Sequence, residues 1–435
     1  MRKSIPCGLL AFAVSASLLV AQEPGKTPGG WSAKAGSGLT YDGGDSFGIN
    51  WLSFAQASWS YANNENAAAP LSGDDTNSFD VGVARTQLRG HVYNRNITYR
   101  LQLDLAENGD QNGSILKDAY AQYNFSSSDE GRVGLRFGQG KTLFGLEGTG
   151  WVHGLWFVDR SNASEAFAGA RSRGAWLVGS LMEKDRPVRF ALGAMNGDVS
   201  GALAAGDPNT TPITPGFVGV GEENRNGSNE LSYVASANWD LLGDFFGGEQ
   251  TAEYWRQGDM RTDGPCRGTI GAGIALGNGV EAATSPRDIE STSINLNTAW
   301  NCKAWSFLGE WFTRRDDIQS GVSDEEDVSG WAASLGYLLP KNGDSSMQWG
   351  LGLRVGMVET DEGTPGSDVD FLTGMRGIGA VVGEATEVSA VVNAFYNGDH
   401  SCKTQLQYTW QDVDPSAPGS GQTNHILSVL FQFTF

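Results

Sequence analysis

The most regular feature of this chain is a strict alternation of apolar and polar side chains. Over residues 96–106, Ile97, Tyr99, Leu101, Leu103 and Leu105 are apolar, and Thr98, Arg100, Gln102 and Asp104 lie between them. Successive side chains of an extended strand point to opposite faces, so such a segment has one greasy and one wet surface. Residues 81–93 repeat the pattern with Arg85, Gln87, Arg89 and His91 on one face, and Arg132 and Arg136 alternate with Val133, Leu135 and Phe137. Far downstream, Lys403, Gln405, Gln407 and Thr409 alternate with Thr404, Leu406, Tyr408 and Trp410. The chain ends with Leu427, Val429, Phe431, Phe433 and Phe435 on one face.

The pattern predicts sixteen strands, near 48–60, 80–93, 96–105, 115–125, 131–138, 171–182, 187–195, 230–240, 249–257, 291–301, 304–314, 329–338, 347–358, 386–396, 401–411 and 424–435. Their lengths suit the roughly 9–11 residues that a tilted strand needs to cross a bilayer. Tight turns are expected at 94–95, 183–186, 302–303 and 397–400, and long polar loops at 61–79, 139–170, 196–229, 258–290, 359–385 and 412–423. Segments 268–290 and 359–385 leave room for a further pair of strands. Alternation alone also fits a soluble sandwich. Short turns on one side with long loops on the other point instead to an antiparallel transmembrane β-barrel, with short periplasmic turns and long extracellular loops. An even strand count puts both termini on the periplasmic side. Trp59, Tyr61, Tyr123, Trp239, Trp255, Trp300, Trp311 and Tyr337 fall near strand ends, where interfacial aromatic girdles belong.

Composition narrows the class. With 60 glycines but no period of three, and 14 prolines, the chain is not collagen-like, and a hydrophobic fraction of 40% is too high for disorder. Arg2 and Lys3 precede an apolar stretch at 5–20 and a small residue, Ala21, which reads as a secretory signal peptide over 1–21. A periplasmic segment at 22–46 and the barrel at 47–435 would follow. Beyond the signal peptide no apolar run of about 18 residues predicts a spanning helix. Loss of Arg2 and Lys3 from the 30 basic residues leaves 28 against 50 acidic ones, a net charge of −22. That sign argues against a nucleic-acid partner. Only Cys266, Cys302 and Cys402 would remain, too few for a disulfide framework, with room for one bridge.

Four stretches resemble the phosphate-selective porin O and P family: 116–123 (LKDAYAQY), 133–146 (VGLRFGQGKTLFGL), 159–174 (DRSNASEAFAGARSRG) and 191–198 (ALGAMNGD). They occur in the family's order across about 80–198. The resemblance implies a trimeric, sixteen-stranded, water-filled outer-membrane channel for small anions, with loop 139–170 folded inward as a constriction. The terminal Phe435 resembles the signal read by the barrel-assembly machinery. Lys141 and Arg160 lie in that loop, with Arg171 and Arg173 just beyond it, and rings of such cations attract anions in a narrow pore. Arg85, Arg89, Arg100, Arg132 and Arg136 would extend a basic ladder along the wall, unless nearby carboxylates pair with them. The motif around Lys141 continues with Thr142-Leu143 where the family has Glu-Pro, and the eight lysines that would remain after loss of Lys3 are few for a lysine-rich phosphate site. The reading is therefore a general, mildly anion-selective porin rather than a dedicated phosphate channel. Acidic runs such as 323–327 (SDEED) are expected in exposed loops, where ionic screening beyond about 8–10 Å isolates them from the pore.

No enzyme chemistry stands out. The four histidines are scattered without a zinc spacing, so neither a metal nor another cofactor is expected. A G-x-S-x-G match at Gly44–Gly48 is not followed by a helix pattern. The alternative is an exported β-rich protein without an open pore: an adhesin, a filled-barrel enzyme or a carbohydrate binder.

Overall fold

The computed structural model describes residues 30–65, 76–106, 115–128, 131–168, 171–181, 186–196, 231–258, 260, 262–281, 287–319, 324–341, 346–360, 382–415 and 421–435. The proposed signal peptide and the loop expectations at 197–230 and 361–381 lie outside them.

A short hairpin, β1 (Gly30–Lys34) and β2 (Gly38–Asp42), leads into the barrel, and β2 pairs with the first barrel strand. The barrel strands are β3 (Phe47–Glu65), β4 (Thr76–Val92), β5 (Asn94–Asp104), β6 (Leu116–Ser128), β7 (Gly131–Lys141), β8 (Arg171–Leu181), β9 (Val188–Met195) and β10 (Ser232–Leu242). They continue as β11 (Arg267–Glu281), β12 (Arg287–Cys302), β13 (Trp305–Gln319), β14 (Asp324–Leu338), β15 (Gln348–Thr360), β16 (Val382–Phe395), β17 (Cys402–Pro415) and β18 (Gln422–Thr434). Each pairs antiparallel with the next, and β18 pairs with β3 to close a sixteen-stranded barrel. Ser53 and Phe435 exchange two backbone hydrogen bonds of 2.8 Å, so the terminal residue forms the last rung of the closure.

Closure leaves no strand edge, so backbone groups are satisfied and lipid meets only alternate side chains. The burial follows. On β17, Lys403, Gln405 and Gln407 are 0%, 1% and 4% exposed, whereas Leu406 and Tyr408 are 47% and 45% exposed. Polar inside and apolar outside is the reverse of a soluble core, and it is the arrangement of a membrane barrel. None of the described helices is long and apolar enough to cross a membrane; the strands are the spanning elements. Trp239, Trp305, Trp349, Phe433 and Phe435 stand exposed near the end where the chain terminates, with the Trp305 and Tyr337 rings 4.5 Å apart.

Fifteen of the sixteen expected strands are present. The ninth is not at 249–257 but at β11, inside the stretch 258–290 that reads as a loop. The inward face of β11 is Thr269, Gly271, Gly273, Ala275 and Gly277, so polar residues hardly alternate there. The alternation at 249–257 belongs to a segment inside the barrel, and Trp255 is buried there rather than in a girdle. The acidic run also differs from expectation: Asp324–Asp327 open β14, and Asp327 pairs with Arg315 across the strands at 3.2 Å.

Candidate pore constriction

Two segments enter the barrel. The first, 142–168, leaves the end of β7 and carries two short helices, α1 (Leu146–Thr149) and α2 (Asn162–Phe167). Short helices leave backbone donors and acceptors unpaired at both ends, and these need partners when buried. Glu310 of β13 accepts hydrogen bonds from the Leu146 and Glu147 amides, and Glu387 of β16 accepts from the Asn162 amide at 2.9 Å. The Ser161 side chain caps α2 by accepting from the Ser164 amide at 3.1 Å. At the other end of α1, Lys141 donates to the carbonyls of Thr149 and Gly150. Phe144 and Phe167 pack on Phe312, whose ring stacks on Phe167 at 5.3 Å, within an apolar core that fills this side of the barrel.

The wall is cut to fit the segment. The Trp156 indole lies over Gly336, Gly350 and Gly352, where an added Cβ would stand 2.8, 2.9 and 2.5 Å from its ring. Gln405 and Asn393 donate to the Trp156 carbonyl, Gln407 accepts from the Val158 amide, and Lys403 donates to the Leu155 carbonyl.

The second segment, 243–266, connects β10 to β11 from the turn end of the barrel. Gly243, Gly247, Gly248 and Gly258 have φ between +64° and +82°, a range glycine adopts without strain, and they form its bends. A disulfide between Cys266 and Cys302 ties its far end to β12, while Cys402 is a half-buried free thiol. The two segments meet. The Trp151 amide donates to the Trp255 carbonyl at 3.2 Å, and the Gln257 amide donates to the Gly154 carbonyl at 2.8 Å. The Gln257 side chain accepts from the Trp156 amide and donates to Glu147, at 2.7 and 2.8 Å.

Electrostatics divide the basic wall in two. Deep in the lumen, Arg100 and Arg136 are each 3% exposed. Arg136 pairs with Glu253 at 2.8 Å, Arg100 pairs with Asp118 at 3.0 Å and lies 3.9 Å from Glu253, and Arg171 also pairs with Asp118, at 2.6 Å. Burial alone would raise the Glu253 carboxyl, but Arg136 and Arg100 outweigh it and hold it below its ordinary value. Arg89 lies over the Tyr254 ring at 4.7 Å and donates to Asn50 at 3.2 Å. Arg85 pairs with Asp104 at 2.7 Å, and Arg173 donates to Gln139 at 3.2 Å. Arg132 is exposed. Arg160 donates to the carbonyls of Glu147, Gly148 and Gly150, sharing the last two with Lys141. Burial lowers the Arg160 guanidinium from its ordinary value, Glu147 and Glu165 oppose the shift, and Arg171 adds to it.

Eight of the nine cations singled out from the sequence therefore lie on the wall of β4–β8 or against it, while Lys141 is turned into the root of the first segment. Sequence reasoning missed Glu253, Tyr254, Arg256, Arg354 and Lys403. The first three sit in the stretch mistaken for a strand; the glycines flanking it at 247, 248 and 258 were the available signal. Arg354 and Lys403 read as ordinary inward strand residues, and their role as props for 142–168 depends on contacts about 200 residues distant in sequence, such as Arg354 to the Asp159 carbonyl.

Residues 58–186 match the phosphate-selective porin O and P family. The match spans all nine cations, from Arg85 to Arg173, and the first inserted segment, but not the second. No curated protein matches the chain. Among solved structures, the outer membrane channel DcaP of Acinetobacter baumannii superposes with a TM-score of 0.56 at 12% identity, over 90% of this chain and 98% of that one. At that identity the likeness establishes the fold alone, a closed antiparallel β-barrel. An anion-selective porin from Comamonas acidovorans aligns over 89% of this chain and all of its own, with 10% identity and a TM-score of 0.48.

Proposed function

We propose that the protein is an outer-membrane porin that passes small anionic solutes by passive diffusion. The observation that carries this reading is the charge of one inner wall. Arg85, Arg89, Arg100, Arg132, Arg136, Arg171 and Arg173 project from β4, β5, β7 and β8, and Arg160 faces them from the inserted segment. Against them the described residues bring Asp104, Asp118, Glu249 and Glu253, and Glu147, Asp159 and Glu165 lie around Arg160, so the positive balance rests on the arginines of β4–β8. A net positive field in a narrow, low-dielectric passage attracts anions and excludes cations. The family match over this same region supports the reading. Phosphate selectivity has less support, because Lys141 is spent on backbone carbonyls and the wall offers arginines held in pairs. Assembly as a homotrimer, and recognition of Phe435 by the barrel-assembly machinery, are part of the same proposal.

Triple neutralisation of Arg85, Arg171 and Arg173 to Gln tests it. The chloride-to-potassium permeability ratio in a planar bilayer should fall several-fold; an unchanged ratio places selectivity elsewhere. One observation favours a second reading. The inserted segments touch across the lumen, so a filled barrel acting as an adhesin or enzyme is the competitor, and absence of conductance would select it.

A further inference from the structure

Glu253 is a lumen carboxylate that does not belong to the wall. It is fully buried, yet it arrives on a peptide segment inserted from the turn end and bent at glycines on both sides. Its Oε2 lies 2.8 Å from Arg136 Nη2 and accepts from the Thr251 hydroxyl at 2.9 Å. The cations it meets are fixed. Arg100 is braced by Asp118 at 3.0 Å, and Arg136 lies over the Tyr120 ring at 4.1 Å and donates to Gln122 at 3.2 Å.

The fit is incomplete. Arg136 Nη1, Arg100 Nη1 and Glu253 Oε1 are all buried without a hydrogen-bond partner among the described residues. Guanidinium groups present forked donors that match a carboxylate with two bonds, and here the tether holds the carboxylate short of one fork. Without Glu253, Arg100, Arg136 and Arg171 would face Asp118 alone. Buried cations are costly to leave unpaired, so Glu253 departs when another anion takes its place.

We propose that Arg100 and Arg136 form a carboxylate-binding site in the lumen, which Glu253 occupies as a tethered ligand until a solute carboxylate displaces it together with segment 249–257. This rests on the porin reading for its physiological sense, though the site itself does not require conduction. Displacement frees the Tyr254 ring from Arg89 and Arg100 and breaks the contacts between Trp151 and Trp255, so solute binding and widening of the passage are one event. A tethered competitor acts at an effective concentration in the millimolar range, so solute carboxylates are needed at about that level.

The test uses the full-length protein in detergent with Ala252→Cys in a Cys402→Ser background and a bulky maleimide as probe. Potassium acetate replaces potassium chloride stepwise at constant ionic strength. Labelling should be slow in chloride and rise at least fivefold in acetate. Adding Glu253→Gln should make it fast in both salts, and Thr251→Val should shift the rise to lower acetate. Heat-modifiable migration on gels confirms that each variant is a folded barrel. If acetate and chloride give equal rates, or if Glu253→Gln labels as slowly as its parent, the proposal is overturned. Bilayer conductance of the same preparations separates the two readings: acetate-dependent labelling in a non-conducting barrel would keep the site and remove the porin.

Discussion

Trp156 shows how a single residue fixes the inserted segment. Its ring fits only because Gly336, Gly350 and Gly352 bring no Cβ to that patch of wall, and its Nε1 donates to the Leu351 carbonyl at 3.2 Å. Gly352→Ala should therefore push the indole out and destabilise the folded barrel by about 1–3 kcal/mol, the usual cost of overpacking. Denaturant unfolding in detergent micelles measures it, and a neutral substitution would mean that the ring has room to shift.

Two histidines give the same region a pH dependence. Burial, then Arg256 and Lys403, pushes His153 well below its ordinary value, and burial, then Lys403 and Arg256, does the same to His400. Both ring nitrogens of His153 are buried without a partner among the described residues, and His400 Nε2 lies 2.8 Å from the Gln257 carbonyl. Each is neutral in the folded protein. A group depressed in this way contributes stability that is present above its unfolded value, about 6.5, and is lost as pH falls below it. The melting temperature should thus drop as pH falls from 7 toward 5, and the double variant His153→Gln/His400→Gln should flatten that slope. An unchanged slope in the variant would assign the acid sensitivity to other groups.

At the level of elements, the strands were legible because a half-buried strand in a membrane barrel must alternate, as 96–105 does without exception and 81–93 and 401–411 do over most of their length. The ninth strand was hidden by its neighbours in space. Gly273 of β11 faces Phe144, and an added Cβ there would stand 3.1 Å from its ring, so the inward face cannot carry the large polar residues that mark other strands. The basic side of the site was legible for the same reason as the strands, since arginines on one face of β4–β8 must share the lumen. Their partners were less so: Asp118 meets Arg100 through the register of β5 with β6, and Glu253 meets it through a segment whose path no local pattern specifies. The Cys266–Cys302 bridge belongs to this scale too. Replacing Cys302 with Ser frees the far root of segment 243–266, so limited proteolysis should cut within that segment several times faster while the barrel stays resistant. Equal cleavage rates would show that Glu253 and Gln257 hold the segment unaided.

At the scale of the molecule, the chain combines a large net negative charge with a positive inner wall. The two coexist because the arginines of β4–β8 outnumber the carboxylates on that wall, and the field in a passage depends on the charges that line it. The barrel is also entered by one segment from each end, and the two meet inside it. We propose that these features together form a narrow, anion-attracting passage. Its most direct test is the zero-current potential of the purified protein in a planar bilayer across a potassium chloride gradient. The account predicts the sign of an anion-selective pore. A cation-selective sign would contradict it and assign the field to the acidic residues instead.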